Sequence, residues 1–471
     1  MKAKQYIAIA VLVAGATSCH FLDEDLKGGF TADTYYTSES RAEMAVNAVY
    51  NSLYDNTLWI FGDVASDDAV KGGNAGDQAE INGIDDFTAS ADNGVLSTYW
   101  TNAYETISRA NNVLANVPSI QAENGERLMA EARFLRCYAY FNLVNIFGSV
   151  PYKVKPQDTP EAIHVGLSTP ATIYAELDKD LVAAAAALPE TYDAQNKGRV
   201  TKGAALALLA KVRLFQRDWT GCLNAISQFE AMTTAAYGLE PVYADLFKEG
   251  GEDSVESIFA IRYVRSTTAN RGNNLTVWLS PSIEGGYYFD APTQEYVNCF
   301  DELTAASATD PRLDASIGRN GQPWFNGTTF QATWSEATGY LVKKYNQDMS
   351  DDYAKAESTI PQHIIRYADF LLMKAEALNE SNGAGAAAAL DQVRGRAGLA
   401  PTAAATQADL RTAIRTERRR ELGFEFHRFF DVMRYGNEYA ASVMPGLPTA
   451  SPRFYFPIPQ AEIDANKALK N

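Results

Sequence analysis

Three pairs of adjacent carboxylates, Asp67-Asp68, Asp85-Asp86 and Asp351-Asp352, have the residue types needed for acid–base work on a sugar bond or for calcium ligation. Carboxylates that are neighbours on a chain usually face solvent or cap helices, and glycosidase partners come from distant positions. The pairs therefore read as structural, with a calcium role for the Asp67-Asp68 loop as the alternative. His20, His164, His363 and His427 are scattered, with no HExxH and no Cys/His cluster. The chain has neither a GxSxG elbow nor a GxxxxGK[ST] phosphate loop. Gly383 to Ala388, "GAGAAA", fits GxGxxA, but a helical stretch precedes it where a dinucleotide site needs a strand. No cofactor, no metal and no enzymatic activity are expected.

The densest charge lies in "IRTERRRELGFEFHRFFDVMRYG", residues 414–436. Leu422, Phe426, Phe429, Phe430 and Met433 recur at helical intervals and predict an apolar stripe. Arg418, Glu421, Glu425 and Arg428 share another face with signs that can pair. The charges nearly cancel, so this is no basic patch. The whole chain carries a formal charge of −17, which repels phosphate backbones and excludes nucleic acid as the main ligand.

The first 18 residues read as an export signal. Lys2 and Lys4 precede the apolar "YIAIAVLVAG", which is too short to span a bilayer, and Ala16, Thr17 and Ser18 lead to Cys19. This start resembles a lipoprotein signal in which Cys19 is acylated and anchors the chain to a membrane. Residues 19–30 form an acidic, Gly-ended tether, and 31–471 are expected to be one domain. The remaining cysteines, Cys137, Cys222 and Cys299, are odd in number, which argues against a disulfide framework; Cys137 and Cys222 read as buried packing residues.

Helical patterns cover 38–54, 99–117, 126–148 and 171–189. Residues 199–232 and 366–398 each read as a helical hairpin of tetratricopeptide type, turning at Arg217-Asp218 and at Ser381 to Gly385. In the first hairpin, Ala204 and Ala210 are expected to line a close helix–helix contact. Residues from about 235 to 358 turn rich in Gly, Asn, Thr and aromatics, with "SIFAIRYVR" as a strand, and a long loop region inside a compact fold is usually functional.

"RANNVL", "AEARFLRCYAYFNLVNIFGSVP", "GRVTKGAALALLAKVRLF", "PTQEYVNCFD" with "DPRL", "IRYADFLLMKAEALNE", "LDQVRGRAGL", "ERRRELGFEFHRFFDVMRYG" and "PIPQAEIDANKAL" occur in this order. Together they resemble the SusD/RagB family of nutrient-binding outer-membrane lipoproteins of Bacteroidetes. Phe426 stands where that family often has Gly, and Tyr435 where it often has Trp. The resemblance implies an all-α, SusD-like fold with tetratricopeptide-like hairpins on one side and a loop-rich ligand side. It also implies that the "ERRREL" helix is scaffold, that the partner is a SusC-like TonB-dependent transporter, and that the cargo is an oligosaccharide or a peptide. The alternatives are a surface glycoside hydrolase and a tetratricopeptide-type adaptor.

The family's blocks carry no ligand residues, so chemistry must choose them. Sugar rings stack their C–H faces on aromatics, and their hydroxyls want fixed polar partners. Trp100 and Trp219 sit in helical patterns and read as core. Trp59, Trp278, Trp324 and Trp334 lie in loop-like stretches, as do Tyr287 and Tyr288, and these six are the expected stacking residues. Trp278 and Trp324 lead as an exposed pair. Asn273 and Asn274 are the expected polar partners, with Asp63, Asn74, Arg271 and Asn326 behind them.

Overall fold

The computed structural model describes residues 32–54, 57–74, 76–265, 271–348, 357–448 and 453–470. The export signal, Cys19, the tether and Asp351-Asp352 lie outside these residues. Helices of eight or more residues run Glu39–Asn51 (α1), Gly94–Asn116 (α2), Gly125–Phe147 (α3), Pro170–Ala187 (α4), Lys202–Phe215 (α5), Trp219–Glu230 (α6), Tyr367–Glu380 (α7), Ala386–Arg396 (α8), Gln407–Leu422 (α9) and Arg428–Tyr435 (α10). The fold is mostly helical, as the sequence predicts, with short antiparallel strand pairs between the helices.

Helix starts follow local chemistry. Ser38, Asn93, Thr169, Thr201, Asp218 and Thr406 each turn a side-chain oxygen to a free first-turn N–H. The α5–α6 hairpin turns where expected: Arg217 takes φ +58° and Asp218 caps α6. α7 and α8 form the second hairpin, and α6 packs on α7, which joins the two. Ala204 and Ala210 are fully buried, as are Cys137 and Cys222, both free thiols.

The expected strand at 257–265 is shorter, Ser257–Ile261, and pairs with Gln362–Arg366, closing off the loop-rich segment at its base. Inside that segment Asp290–Pro292 pairs with Ala69–Lys71 in the register Lys71 to Asp290. The main apolar core runs from Ala42 to Phe456.

The charged stretch differs from its prediction in two ways. It is not one helix but two, α9 and α10, parted by a bend in which Phe424 and Phe426 take φ +61° and +67°. Such backbone favours Gly. The Phe426 backbone lies against Gly62, where a Cβ would come within 2.4 Å of it, so no side chain fits at 62 without a shift of the bend.

Its charges are also not a solvated face. Glu417, Arg418, Glu421, Glu425 and Arg428 are buried and pair with distant segments rather than along the helix. Glu421 and Glu417 hold Arg312 at 2.8 and 2.6 Å, Glu425 holds Lys344 at 2.8 Å, and Arg418 holds Asp369 at 2.8 Å. Arg428 grips both oxygens of Asp67 at 2.7 Å, and Arg419 reaches Asp68 at 2.5 Å. The stretch is a buried ionic hub that ties four regions of the chain together. This accounts for Asp67-Asp68 as structural partners of arginine, while Asp85 accepts the Lys71 N–H at 2.9 Å and Asp86 caps Thr88.

Candidate ligand-binding site

The loop-rich segment positions its aromatics through a short backbone ladder. Trp278 sits on the helical turn Leu275–Leu279, whose Leu275 and Leu279 are buried and whose Thr276 hydroxyl donates to the Tyr345 carbonyl at 2.6 Å. Past a turn at Pro281 to Gly286 the chain runs back alongside it. Tyr287 N–H donates to Val277 O at 2.9 Å, Tyr288 N–H to Ser280 O at 3.0 Å, and Phe289 N–H to Trp278 O at 3.0 Å.

This ladder brings three rings into one cluster. Trp278 lies 5.4 Å from Tyr287 and 5.8 Å from Phe289, and Tyr287 stacks on Phe289 at 5.6 Å with planes 20° apart. Trp59, arriving from the start of the helical turn Ile60–Val64, stands 6.5 Å from Trp278. These spacings are those of favourable offset ring pairs. Trp59 is almost wholly buried, Trp278 is half-buried and Tyr287 is 48% exposed, so Trp278 and Tyr287 are the solvent-reaching rings of this shelf. A cavity of about 310 Å³ opens beside it, lined by Thr57, Trp59, Gln78, Glu80, Thr98 and Trp278 among others. It lies at the lower end of ligand-pocket sizes and mixes the two indoles and the aliphatic Ile60, Ile81 and Val95 with hydroxyl, amide and carboxylate groups.

The other expected residues fall elsewhere. Trp324 is buried, not exposed: it packs with Tyr288, Phe330 and Leu341 in a satellite core, and its Nε1–H donates to Glu284 at 2.8 Å. Trp334 is half-buried against the same core, 5.2 Å from Phe330. Trp278 and Trp324 thus do not make an exposed pair. Burying an indole yields far more apolar contact than a loop can otherwise obtain, and this loop has used Trp324 to fold itself.

Tyr288 turns away from its neighbour Tyr287 to donate to Asn74 at 2.9 Å. Asn273 is fully buried and structural, donating to the Ile360 carbonyl and accepting from Leu275 N–H. Asn274 precedes the Trp278 turn, Arg271 lies over the Tyr54 ring at 5.7 Å, and the exposed Asn326 donates its N–H to Asp348. Asp63 is buried beneath the shelf, out of reach of a ligand.

Phe289, Lys71, Gln78, Glu80 and Thr98 belong to the site or its wall without having been singled out. One signal was present: Gly72-Gly73, where a Cβ on Gly73 would meet the Phe289 ring at 2.3 Å and one on Gly72 the Tyr288 carbonyl at 2.1 Å. A larger crevice, about 800 Å³, is lined by Phe247, Phe325, Lys343 and Asp348. Its rings are spent differently: Phe247 is buried, and the Lys343 ammonium covers Phe325 at 5.6 Å. The shelf is therefore the better stacking surface. No helix among the described residues is long and apolar enough to cross a membrane.

Comparison with known proteins gives a consistent picture. The SusD family model matches residues 255–471, and a second model, described as starch-binding and associating with the outer membrane, matches residues 21–214. A SusD-like protein of Formosa agariphila is 27% identical over 100% of this chain and 98% of its own length. A SusD-like protein of Bacteroides ovatus is 27% identical over 91% of this chain and 81% of its own. Among solved structures, a laminarin-binding SusD-like protein superposes with a TM-score of 0.80 at 29% identity, over 92% of this chain and 98% of that one. A SusD-like carbohydrate-binding protein of Bacteroides fragilis gives 0.79 at 26% identity, over 93% and 100%. The two SusD models, which match most of the chain between them, the relatives aligned over its whole length and the shared fold meet in one conclusion: the chain belongs to the SusD/RagB family.

Proposed function

We propose that the protein captures oligosaccharides on the Trp278–Tyr287 shelf without cleaving them and passes them to a SusC-like TonB-dependent transporter, with peptides as the second cargo class. The observation that carries this reading is the pairing of half-buried Trp278 with exposed Tyr287, positioned by the backbone ladder, with Trp278 also lining a cavity in which Thr57, Gln78, Glu80 and Thr98 add polar groups to an otherwise apolar wall. That geometry suits a sugar, whose C–H faces stack while its hydroxyls hydrogen-bond. The laminarin-binding relative supports the ligand class.

A hydrolase would need two positioned carboxylates. Glu80 is the one carboxylate among the described lining residues, while Asp67 and Asp68 are committed to Arg428 and Arg419. A tetratricopeptide adaptor would leave the aromatic shelf without use. Acylation at Cys19, residence on the outer membrane facing the exterior, and one domain across 31–471 belong to this reading.

Calorimetry against a panel of purified glycans and peptides, begun with laminarin oligosaccharides, tests it, with chromatography of the same mixtures. Binding to a glycan without products is expected. Cleavage products from the pure protein, or peptide binding alone, would overturn the glycan-capture reading.

A further inference from the structure

Next to the shelf lies a cluster of buried carboxylates, of which the ionic pairing of the fold reaches only Asp68. Asp63, Asp68 and Asp290 are all fully buried. No protein group among the described residues donates to Asp63 Oδ2, to Asp68 Oδ2 or to either oxygen of Asp290. Asp290 directly follows the shelf ring Phe289 and opens the strand that pairs with Ala69–Lys71. Asp63 lies on the turn that follows Trp59, and Asp68 immediately precedes the partner strand.

The charges around this cluster are already committed. Asp67 takes Arg428, and Asp68 shares Arg419 with Asp67. Lys344, which faces Asp63, is held by Glu425 at 2.8 Å and the Gly423 carbonyl at 2.7 Å. Lys71 turns its ammonium to the Asn74 carbonyl at 3.2 Å and the Phe289 ring at 5.2 Å. Asp85 adds another acid facing Asp290, with Asp86 beyond it. Tyr296, Tyr345 and Cys299, the remaining titratable neighbours, are kept neutral by burial, which pushes each of them up.

Two arginines therefore balance Asp67 and Asp68, and Asp63 and Asp290 have no cation of their own. No group of three or more His, Cys, Asp or Glu side chains that could hold a metal ion occurs among the described residues. An ionised carboxylate in such a place costs far more than binding a proton.

We propose that Asp290 is a positioning residue that carries a proton at neutral pH, so that the strand pair under the aromatic shelf holds together only while Asp290 is protonated. Losing the proton sets Asp290 against Asp63 and Asp68 in a dry interior. The strain falls on the pairing of Asp290–Pro292 with Ala69–Lys71 and on the Gly72 N–H bond to the Phe289 carbonyl, 2.8 Å long, which seats the shelf.

Burial, then Asp68 and Asp85, raises Asp290, and burial, then Asp290, raises Asp63. The folded chain thus binds more protons here than the unfolded one. This contribution to stability is complete below the ordinary aspartate value, about 4, and is lost as pH rises through the folded values. The stability effect stands on the cluster alone; only the effect on binding rests on the shelf being the ligand face.

Infrared spectroscopy of the intact protein at neutral pH reads the proton directly. A carbonyl band of a buried protonated carboxyl is expected in the wild type and a weaker one in Asp290→Asn. Absence of that band in the wild type overturns the proposal even if the variant does not fold. Melting temperature followed from about pH 6 to about pH 9 should fall in the wild type and fall less in Asp290→Asn, and parallel slopes overturn it as well. Laminarihexaose titrated over the same range should lose affinity several-fold in the wild type but not in the variant. Binding that is constant with pH in the wild type refutes the link to the shelf. No laminarihexaose binding at any pH counts against the ligand reading, and the band and the slopes then decide this one.

Discussion

Arg366 Nε donates to Glu425 Oε2 at 2.7 Å across 59 residues of sequence, and both side chains are buried. The pair binds the base of the loop-rich segment to the bend between α9 and α10. Each partner has further support: Arg366 reaches Glu256 at 2.5 Å, and Glu425 also takes Lys344. A buried charge is tolerated only when it is paired and hydrogen-bonded in this way.

Acid should therefore unlock the hub. Burial alone would raise Glu425, but Arg366 and Lys344 override it and bring it down to about 2; Asp431, between Arg418 and Arg434, comes down to about 2 in the same way. Because these folded values lie below the unfolded ones, the stabilisation is present above about pH 4 and is lost as pH falls through about 2. Chemical denaturation followed from about pH 6 to about pH 2 should show stability dropping steeply at the acid end, and the drop should shrink in Glu425→Gln. An unchanged acid limb in that variant would count against the assignment.

Removing one partner of the hub should be strongly destabilising, because the charges are buried. Arg418→Ala leaves buried Asp369 with Lys211 alone and Asp431 with Arg434 alone, and breaking buried pairs in this way costs about 3–5 kcal/mol. Phe430→Ala should cost about 3–5 kcal/mol by leaving a cavity in the main core. Ligand affinity of any folded fraction should not change. Equilibrium unfolding measures the first effect and calorimetry the second.

How much of this was legible in the sequence depends on the range of the forces involved. The helices, their caps and both hairpins follow from spacing within a few residues, and those were read with ends shifted by up to five residues, as at Gly94 for α2. The bend at Phe424 and Phe426 hid behind an unbroken apolar stripe, since positive φ at a Phe leaves no mark in periodicity. The ionic hub was seen as charge balance, but partners such as Asp369 and Asp67 lie 49 and 361 residues away, distances over which sequence spacing carries no information. Trp278 and Trp324 looked alike in sequence, each flanked by polar and turn residues. Only tertiary packing separates the half-open ring from the buried one.

Anchoring has its own check. Replacing Cys19 with Ala should move the protein from membrane to soluble fractions, since several acyl chains at about 0.8 kcal/mol per buried methylene hold nearly permanently and none hold without them. Membrane retention in the variant, with no acyl mass on the N-terminal peptide, would sink the idea.

The two tryptophans supply the sharpest contrast. Trp278→Ala removes a shelf ring whose face is partly open, while Leu275 and Leu279 go on holding the turn that carries it. Stacking on one ring contributes on the order of 1 kcal/mol, so affinity for the glycan should fall several-fold with only a modest loss in melting temperature. Tyr287→Ala should act the same way, because its ring is exposed and its backbone bond to Val277 survives the change. Trp324→Ala should do the reverse. It empties a satellite core shared with Tyr288, Phe330 and Leu341 and leaves Glu284 without its indole donor. The cost should be about 3–5 kcal/mol of stability, the usual range for deleting a buried aromatic. Affinity should then fall only as far as the loop loosens, and it should return at low temperature where the variant is folded. Melting curves and calorimetry on the three variants separate the cases. Intact stability with lost affinity in Trp324→Ala would move the ligand face to the satellite core, and unaltered affinity in the Trp278→Ala, Tyr287→Ala double variant would remove it from the shelf.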